Sequence, residues 1–159
     1  MNFQFAAIGF GPLLLAQGIY VRLVTPRLPE PEGARFGVAG AGEPLRLLIT
    51  GDSAAAGVGA ESQASALSGR LVSLLASSFE VSWKLMARTG NKTRDILDHI
   101  ESAPHENFDV AILSGGVNDV TAGTPLEKWL GLLGNLCERL QSRFGIQQVF
   151  LTSLPPMHA

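Results

Sequence analysis

The sequence predicts an α/β fold, a three-layer α/β/α sandwich built on a parallel sheet. Two observations carry this. Short apolar runs that end in glycine alternate with stretches whose apolar residues recur at helical spacing. Those short runs are also near-continuously apolar, as strands buried on both faces of a parallel sheet are. Repeats at solenoid or propeller periods are missing from the sequence.

In chain order, Phe3 to Val24 comes first, with Arg22 as its one charge and Leu13-Leu14-Leu15 at its centre. A membrane-crossing helix needs about 20 apolar residues, so the length fits a membrane anchor. Gln4, Gln17, Pro12 and three glycines dilute it, and no basic stretch precedes it as in a secretory signal. An amphipathic or packed leader helix is the other expectation. If the segment is an anchor, Arg22 and Arg27 place the rest of the protein in the cytoplasm. Residues 25–44 read as a linker, because Pro26, Pro29, Pro31 and Pro44 with four glycines forbid a continuous helix or an interior strand. The folded domain is expected over 45–159.

Within it, Leu45 to Thr50 (LRLLIT) is a buried strand. Ser62 to Ser77 is a helix, with Ala66, Leu67, Leu71, Leu74 and Leu75 at helical spacing. Val81 to Ala87 (VSWKLMA) is a strand. Thr93 to Glu101 is a short helix with Thr93 as N-cap and Ile96, Leu97 and Ile100 on one face. Asp109 to Ser114 (DVAILS) is another buried strand. Thr124 to Phe144 is a long helix opened by Thr124-Pro125, with Leu130, Leu133, Leu136, Cys137 and Leu140 as its inward stripe. Gln147 to Leu154 is a fourth strand, stopped by Pro155-Pro156.

Composition excludes several function classes. The chain has 159 residues, 46% of them hydrophobic and 16% charged, which is globular. A net charge of −2 offers nucleic acid no basic surface. The single cysteine, Cys137, supports neither a disulfide framework nor a cysteine zinc site and reads as a core thiol.

In open parallel sheets, ligands bind beyond the carboxyl ends of the strands, where strand order reverses. The first strand is followed by Gly51-Asp52-Ser53-Ala54-Ala55-Ala56-Gly57, the second by Arg88-Thr89-Gly90-Asn91-Lys92, and the third by Gly115-Gly116-Val117-Asn118-Asp119. Taken singly, each reads as ordinary turn chemistry. Taken together, at the same edge of one sheet, they supply a serine nucleophile and three donors. The donors are the N–H of Ser53, the N–H of Gly90 and the side-chain amide of Asn118. Acyl transfer needs this set, because its tetrahedral intermediate develops an oxyanion that fixed donors stabilise. Asp52 and Asp119 are expected to support the turns. The Gly-x-Ser-x-Gly elbow of α/β-hydrolases is excluded by Ala55, and neither a P-loop nor a dinucleotide-binding glycine pattern is present. Asp52, Asp95 and Asp119 lie on separate loops, so no metal is assigned.

Gly51-Asp52-Ser53, Gly90 and Gly116-Val117-Asn118-Asp119 resemble the first three blocks of the SGNH (GDSL) hydrolase family, in order and each at its expected place. The resemblance spans Leu45 to about Pro155 and is specific in the first and third blocks. It implies a flavodoxin-like sandwich, Ser53 as nucleophile, Gly90 and Asn118 in the oxyanion hole, and no metal or cofactor. The implied reaction is hydrolysis of a small acyl ester. The family's final Asp-x-x-His block, which brings the base and its carboxylate, has no counterpart here. His99 reads as a surface residue, His105 precedes the wrong end of a strand, and nothing of the form Asp-x-x precedes His158. The base is therefore expected beyond Ala159, with 159 residues as part of a longer enzyme. Two other readings stay open: a non-catalytic binding module or inactive fragment using the same crevice, and a membrane-tethered scaffold.

Overall fold

The computed structural model describes residues 3–26 and 28–154 of the chain. The expectations placed on Arg27, Pro155-Pro156 and His158 lie outside the described residues. The elements are α1 (Phe3–Val24), β1 (Phe36–Ala39), β2 (Glu43–Gly51), α2 (Ser53–Ala56), α3 (Leu67–Leu75), β3 (Phe79–Ala87), α4 (Thr93–Ser102), β4 (Val110–Ser114), α5 (Val117–Thr121), α6 (Leu126–Phe144) and β5 (Gln148–Leu151).

The strands form one five-stranded sheet in the order β1-β3-β2-β4-β5. Pairings β2–β3, β2–β4 and β4–β5 are parallel, and β1 alone runs antiparallel, against β3. Counting only the parallel strands, the second lies beside the first and the third on its other side. That is the flavodoxin-like arrangement, with its switch point between β2 and β4.

Alternation along β2 divides the core. Leu47 and Ile49 face one side, where they pack with Val81, Leu85, Ala55, Ala56 and Val72 under α2 and α3. Leu48 faces the other, packing with Ala111, Leu113, Ile96, Ile100, Leu136, Leu140 and Phe144 under α4 and α6. This makes the three layers. Phe108 meets Phe144 edge to face, with ring centroids 5.7 Å apart.

Several expectations need correction. The stretch 25–44 is not a spacer throughout: Phe36–Ala39 forms an edge strand, and Glu43 and Pro44 already belong to β2. Gly37 sits on the edge strand β1, which holds no proline, and Pro44 lies near the start of β2, before the pairing with β4 begins at Leu47. The helix expected from Ser62 begins only at Leu67, after a run of turns. Thr93 is the first residue inside α4 rather than its cap. On α6, Leu130 is exposed and the buried stripe runs through Leu136, Leu140 and Phe144.

The N-terminal segment is helical over the predicted residues. Pro12 to Val21 and Leu23 to Pro26 are exposed, including Leu13, Leu14 and Leu15. Among the described residues, no helix is long and apolar enough to cross a membrane, so the spanning reading has no support.

Candidate active site

Three strand ends meet at one level. Gly51, the last residue of β2, pairs with Ala87 of β3 on one side and with Ser114 of β4 on the other. Hydrogen bonds hold the level one residue further: Asp52 N–H donates to the Ser114 carbonyl at 2.9 Å, and Arg88 N–H to the Gly51 carbonyl at 3.3 Å. Paired strands stand about 4.8 Å apart, so the three loops leave the sheet as immediate neighbours. Gly51 is obligatory here. Its φ is +150°, and a Cβ would lie 1.8 Å from the Ser114 carbonyl oxygen.

Ser53 is the first residue of α2, and Asp52 is its N-cap, with Oδ1 accepting the Ala54 N–H at 2.9 Å. Ser53 is half-buried. As the opening residue of a helix its N–H has no intrahelical partner. Among the described residues nothing else engages that N–H or the hydroxyl.

The second loop brings Gly90, with φ +86° and open space where a Cβ would stand. The backbone conformation is what demands glycine there. The next residue, Asn91, is 6% exposed and accepts on its carbonyl a 2.9 Å hydrogen bond from the Asn118 side-chain amide. An amide carries two N–H bonds, so one orients Asn118 while the other stays free. The Asn91 side chain in turn lies 3.3 Å from His99 Nδ1. His99 is therefore not merely a surface residue; it backs the second loop.

The third loop turns at Gly116, with φ +117°, into the short helix α5 that carries Asn118 and Asp119. Asp119 is 2% exposed. Its Oδ2 accepts both the N–H and the hydroxyl of Thr93, each at 2.8 Å. Trp129 Nε1 then donates to Thr93 Oγ1 at 3.0 Å. Asp119 thus caps α4 from another loop, the role expected of Thr93 itself, and ties α4, α5 and α6 together around the site.

Burial pushes the Asp52 carboxyl above the usual aspartate range; the Ala54 N–H opposes this and the nearby Asp119 carboxylate adds to it. Burial likewise raises the half-buried Cys137 thiol, away from reactivity. Among the described residues no group of three or more His, Cys, Asp or Glu is placed to hold a metal ion.

The predicted residues Ser53, Gly90 and Asn118 thus lie on three adjacent loops, with Asp52 and Asp119 buried beneath two of them. Sequence reasoning missed α5 and the parts played by Asn91 and Thr93. The Thr directly after a loop and the buried Asn beside Gly90 carry no spacing signal that would have found them.

Residues 49–159 match the GDSL-like lipase/acylhydrolase family. A variant of the esterase AlinE4, an SGNH-hydrolase family esterase, superposes with TM-score 0.62 at 27% identity, over 74% of this chain and 64% of its own. An acetyl xylan esterase variant from Geobacillus stearothermophilus shares the fold, with TM-score 0.52 and 20% identity, over 69% of this chain and 60% of its own. TesA does so with TM-score 0.58 and 21% identity, over 70% and 62%. The chain spans less than two thirds of the length of these structures. No curated protein matches it. The match over 49–159 covers the greater part of the chain and every residue of the three-loop site, and the chain belongs to the GDSL-like lipase/acylhydrolase family.

Proposed function

We propose that the protein is a serine carboxylic-ester hydrolase that works through an acyl-enzyme at Ser53. One observation carries the reading: three donors, unengaged or half-engaged, and one unpartnered hydroxyl stand on neighbouring loops at the level where Gly51 joins Ala87 and Ser114. Ser53 Oγ attacks the acyl carbonyl carbon. The oxyanion that forms is met by the N–H of Ser53, the N–H of Gly90 and the free N–H of Asn118. Collapse expels the alcohol and leaves the acyl group on Ser53, and water releases it as the carboxylic acid. The substrate is a small acyl ester, and the chemistry asks for no metal or cofactor.

A serine needs a base to take its proton. No described residue stands against Ser53 Oγ in that role, so we assign the base and its orienting carboxylate outside the described residues. Family membership favours the catalytic reading over a non-catalytic binding module. The test is hydrolysis of a short-chain aryl ester by the full-length protein and by its Ser53→Ala variant. The variant is expected to lose roughly three orders of magnitude or more in kcat. Equal rates in the two would overturn the proposal.

A further inference from the structure

The segment between α1 and β1 is tied to the site at both of its walls. Glu30 Oε1 accepts the N–H of Thr89 at 2.7 Å and its hydroxyl at 2.8 Å, directly before Gly90. Glu30 Oε2 accepts from Arg35 at 2.9 Å, and Arg35 also donates to the Ala87 carbonyl at the end of β3. Leu85 N–H donates to the Arg35 carbonyl at 2.7 Å, which seats the strap on β3.

The other wall is held through Gln63, which is 3% exposed. Its N–H donates to the Glu32 carbonyl at 2.9 Å, and its amide to the carbonyls of Pro31 at 3.3 Å and Ala56 at 2.9 Å. Ala56 is the last residue of α2, the helix that Ser53 opens. Pro31 lies so close to Gly57 that a Cβ there would stand 3.2 Å from its Cγ. Strap 30–35 therefore spans from the serine helix to the Gly90 loop.

We propose that this strap is a positioning element of the active site, in which Glu30 fixes the loop that presents the Gly90 N–H. The inference rests on reading Gly90 as an oxyanion donor. The loop is fastened at its two ends, by Arg88 N–H on the Gly51 carbonyl and by the Asn118 amide on the Asn91 carbonyl, and Glu30 is what holds Thr89 between them. Arg88, Thr89 and Gly90 are all exposed, and a Cβ at Gly90 would touch nothing within 4 Å. Burial alone raises the Glu30 carboxyl, but the Thr89 hydrogen bonds and the Arg35 cation outweigh it and hold the group below the usual glutamate range. The acceptor thus stays ionised at neutral pH.

An oxyanion donor moved by about 1 Å loses much of its effect, so freeing the loop acts on kcat rather than on ground-state binding. The test compares wild type, Glu30→Ala and Glu30→Gln in the full-length protein. Aryl-ester turnover and backbone ¹⁵N order parameters over residues 88–91 are measured, with Ser53→Ala as the control. In Glu30→Ala, kcat is expected to fall about 10- to 30-fold, short of the ~10²–10³ seen when an oxyanion donor is deleted, with KM within about twofold. The order parameters of Thr89 and Gly90 are expected to drop from about 0.85 toward 0.6, while those of α6 stay unchanged. Glu30→Gln keeps an oxygen for Thr89 and is expected to recover most of both.

Unchanged order parameters at Thr89 and Gly90 in Glu30→Ala overturn the proposal. So does an unchanged kcat beside a loosened loop, or a loss of order spread equally over α6. If Ser53→Ala matches wild type, the acyl-enzyme reading fails instead, and the order parameters alone then decide whether Glu30 holds the loop.

Discussion

Asp52 and Asp119 occupy parallel places, one after β2 and one after the neighbouring β4, and each is 2% exposed. They are nevertheless used in opposite ways. Asp52 acts on its own chain, accepting the N–H two residues ahead and closing the turn that presents Ser53. Asp119 reaches back to Thr93, 26 positions earlier, and satisfies two donors there. In the first turn the carboxylate closes a local cap. The second is a tertiary joint, on which the spacing of α4, α5 and α6 depends. In the proposed reading, the nucleophile stands on the local device and Asn118 on the long-range one.

The largest consequence of that difference falls on Asp119→Ala. It leaves the Thr93 N–H and hydroxyl without their acceptor in a buried setting, where each orphaned group costs about 1–3 kcal/mol. A loss of roughly 2–4 kcal/mol in unfolding free energy is expected from denaturant titration, with Asp119→Asn recovering part of it through the amide oxygen. Because the joint also fixes Asn118, ester turnover should fall even at temperatures where the variant is fully folded. A loss under 1 kcal/mol would show that the joint is not what holds the third loop.

Asp52→Ala removes a helix cap and, with it, a buried charge near Asp119 whose loss offsets part of the cost, so the expected loss is at most about 1 kcal/mol by the same titration. The contrast with Asp119→Ala is the measurable form of the comparison. Equal losses at the two positions would erase the distinction between a local and a tertiary carboxylate.

The same distinction decides what the sequence displays. Strands β2 to β5 are legible because LRLLIT, VSWKLMA, DVAILS and QQVFL carry their burial in their own composition. The Ser53 turn is legible because Gly-Asp-Ser is a complete local device. The strand β1 is four residues with a glycine, and only its pairing with β3, more than forty positions later, makes it a strand. Glu30 and Thr89 are 59 positions apart, and a glutamate between two prolines looks like any solvated linker residue until the chain is folded. The helix α5 is one turn long, too short to show a period. Long-range polar partners leave no periodicity, which is why the three strand-end loops are legible and the contacts of Glu30 with Thr89 and of Asp119 with Thr93 are not.

The smallest expected effect is also the most discriminating for Asp52. Asp52→Asn keeps an oxygen for the Ala54 N–H and removes the charge. In the wild type the folded-state carboxyl titrates above its unfolded value, through burial first and the Asp119 charge besides. Between those two values the folded state binds more protons than the unfolded, so stability from this group falls as pH rises through that window and stays low above it. The advantage of Asp52→Asn over wild type should therefore be least at pH 3, grow as pH rises past the ordinary aspartate range, and level off once the folded-state carboxyl has ionised. Paired denaturant midpoints across that range measure it directly. Because Asp119 supplies part of the shift, the pH dependence should shrink when the two proteins are compared in an Asp119→Asn background. A difference between the midpoints that stays constant with pH would mean that Asp52 titrates alike in the folded and unfolded chains, leaving the cap as its whole contribution.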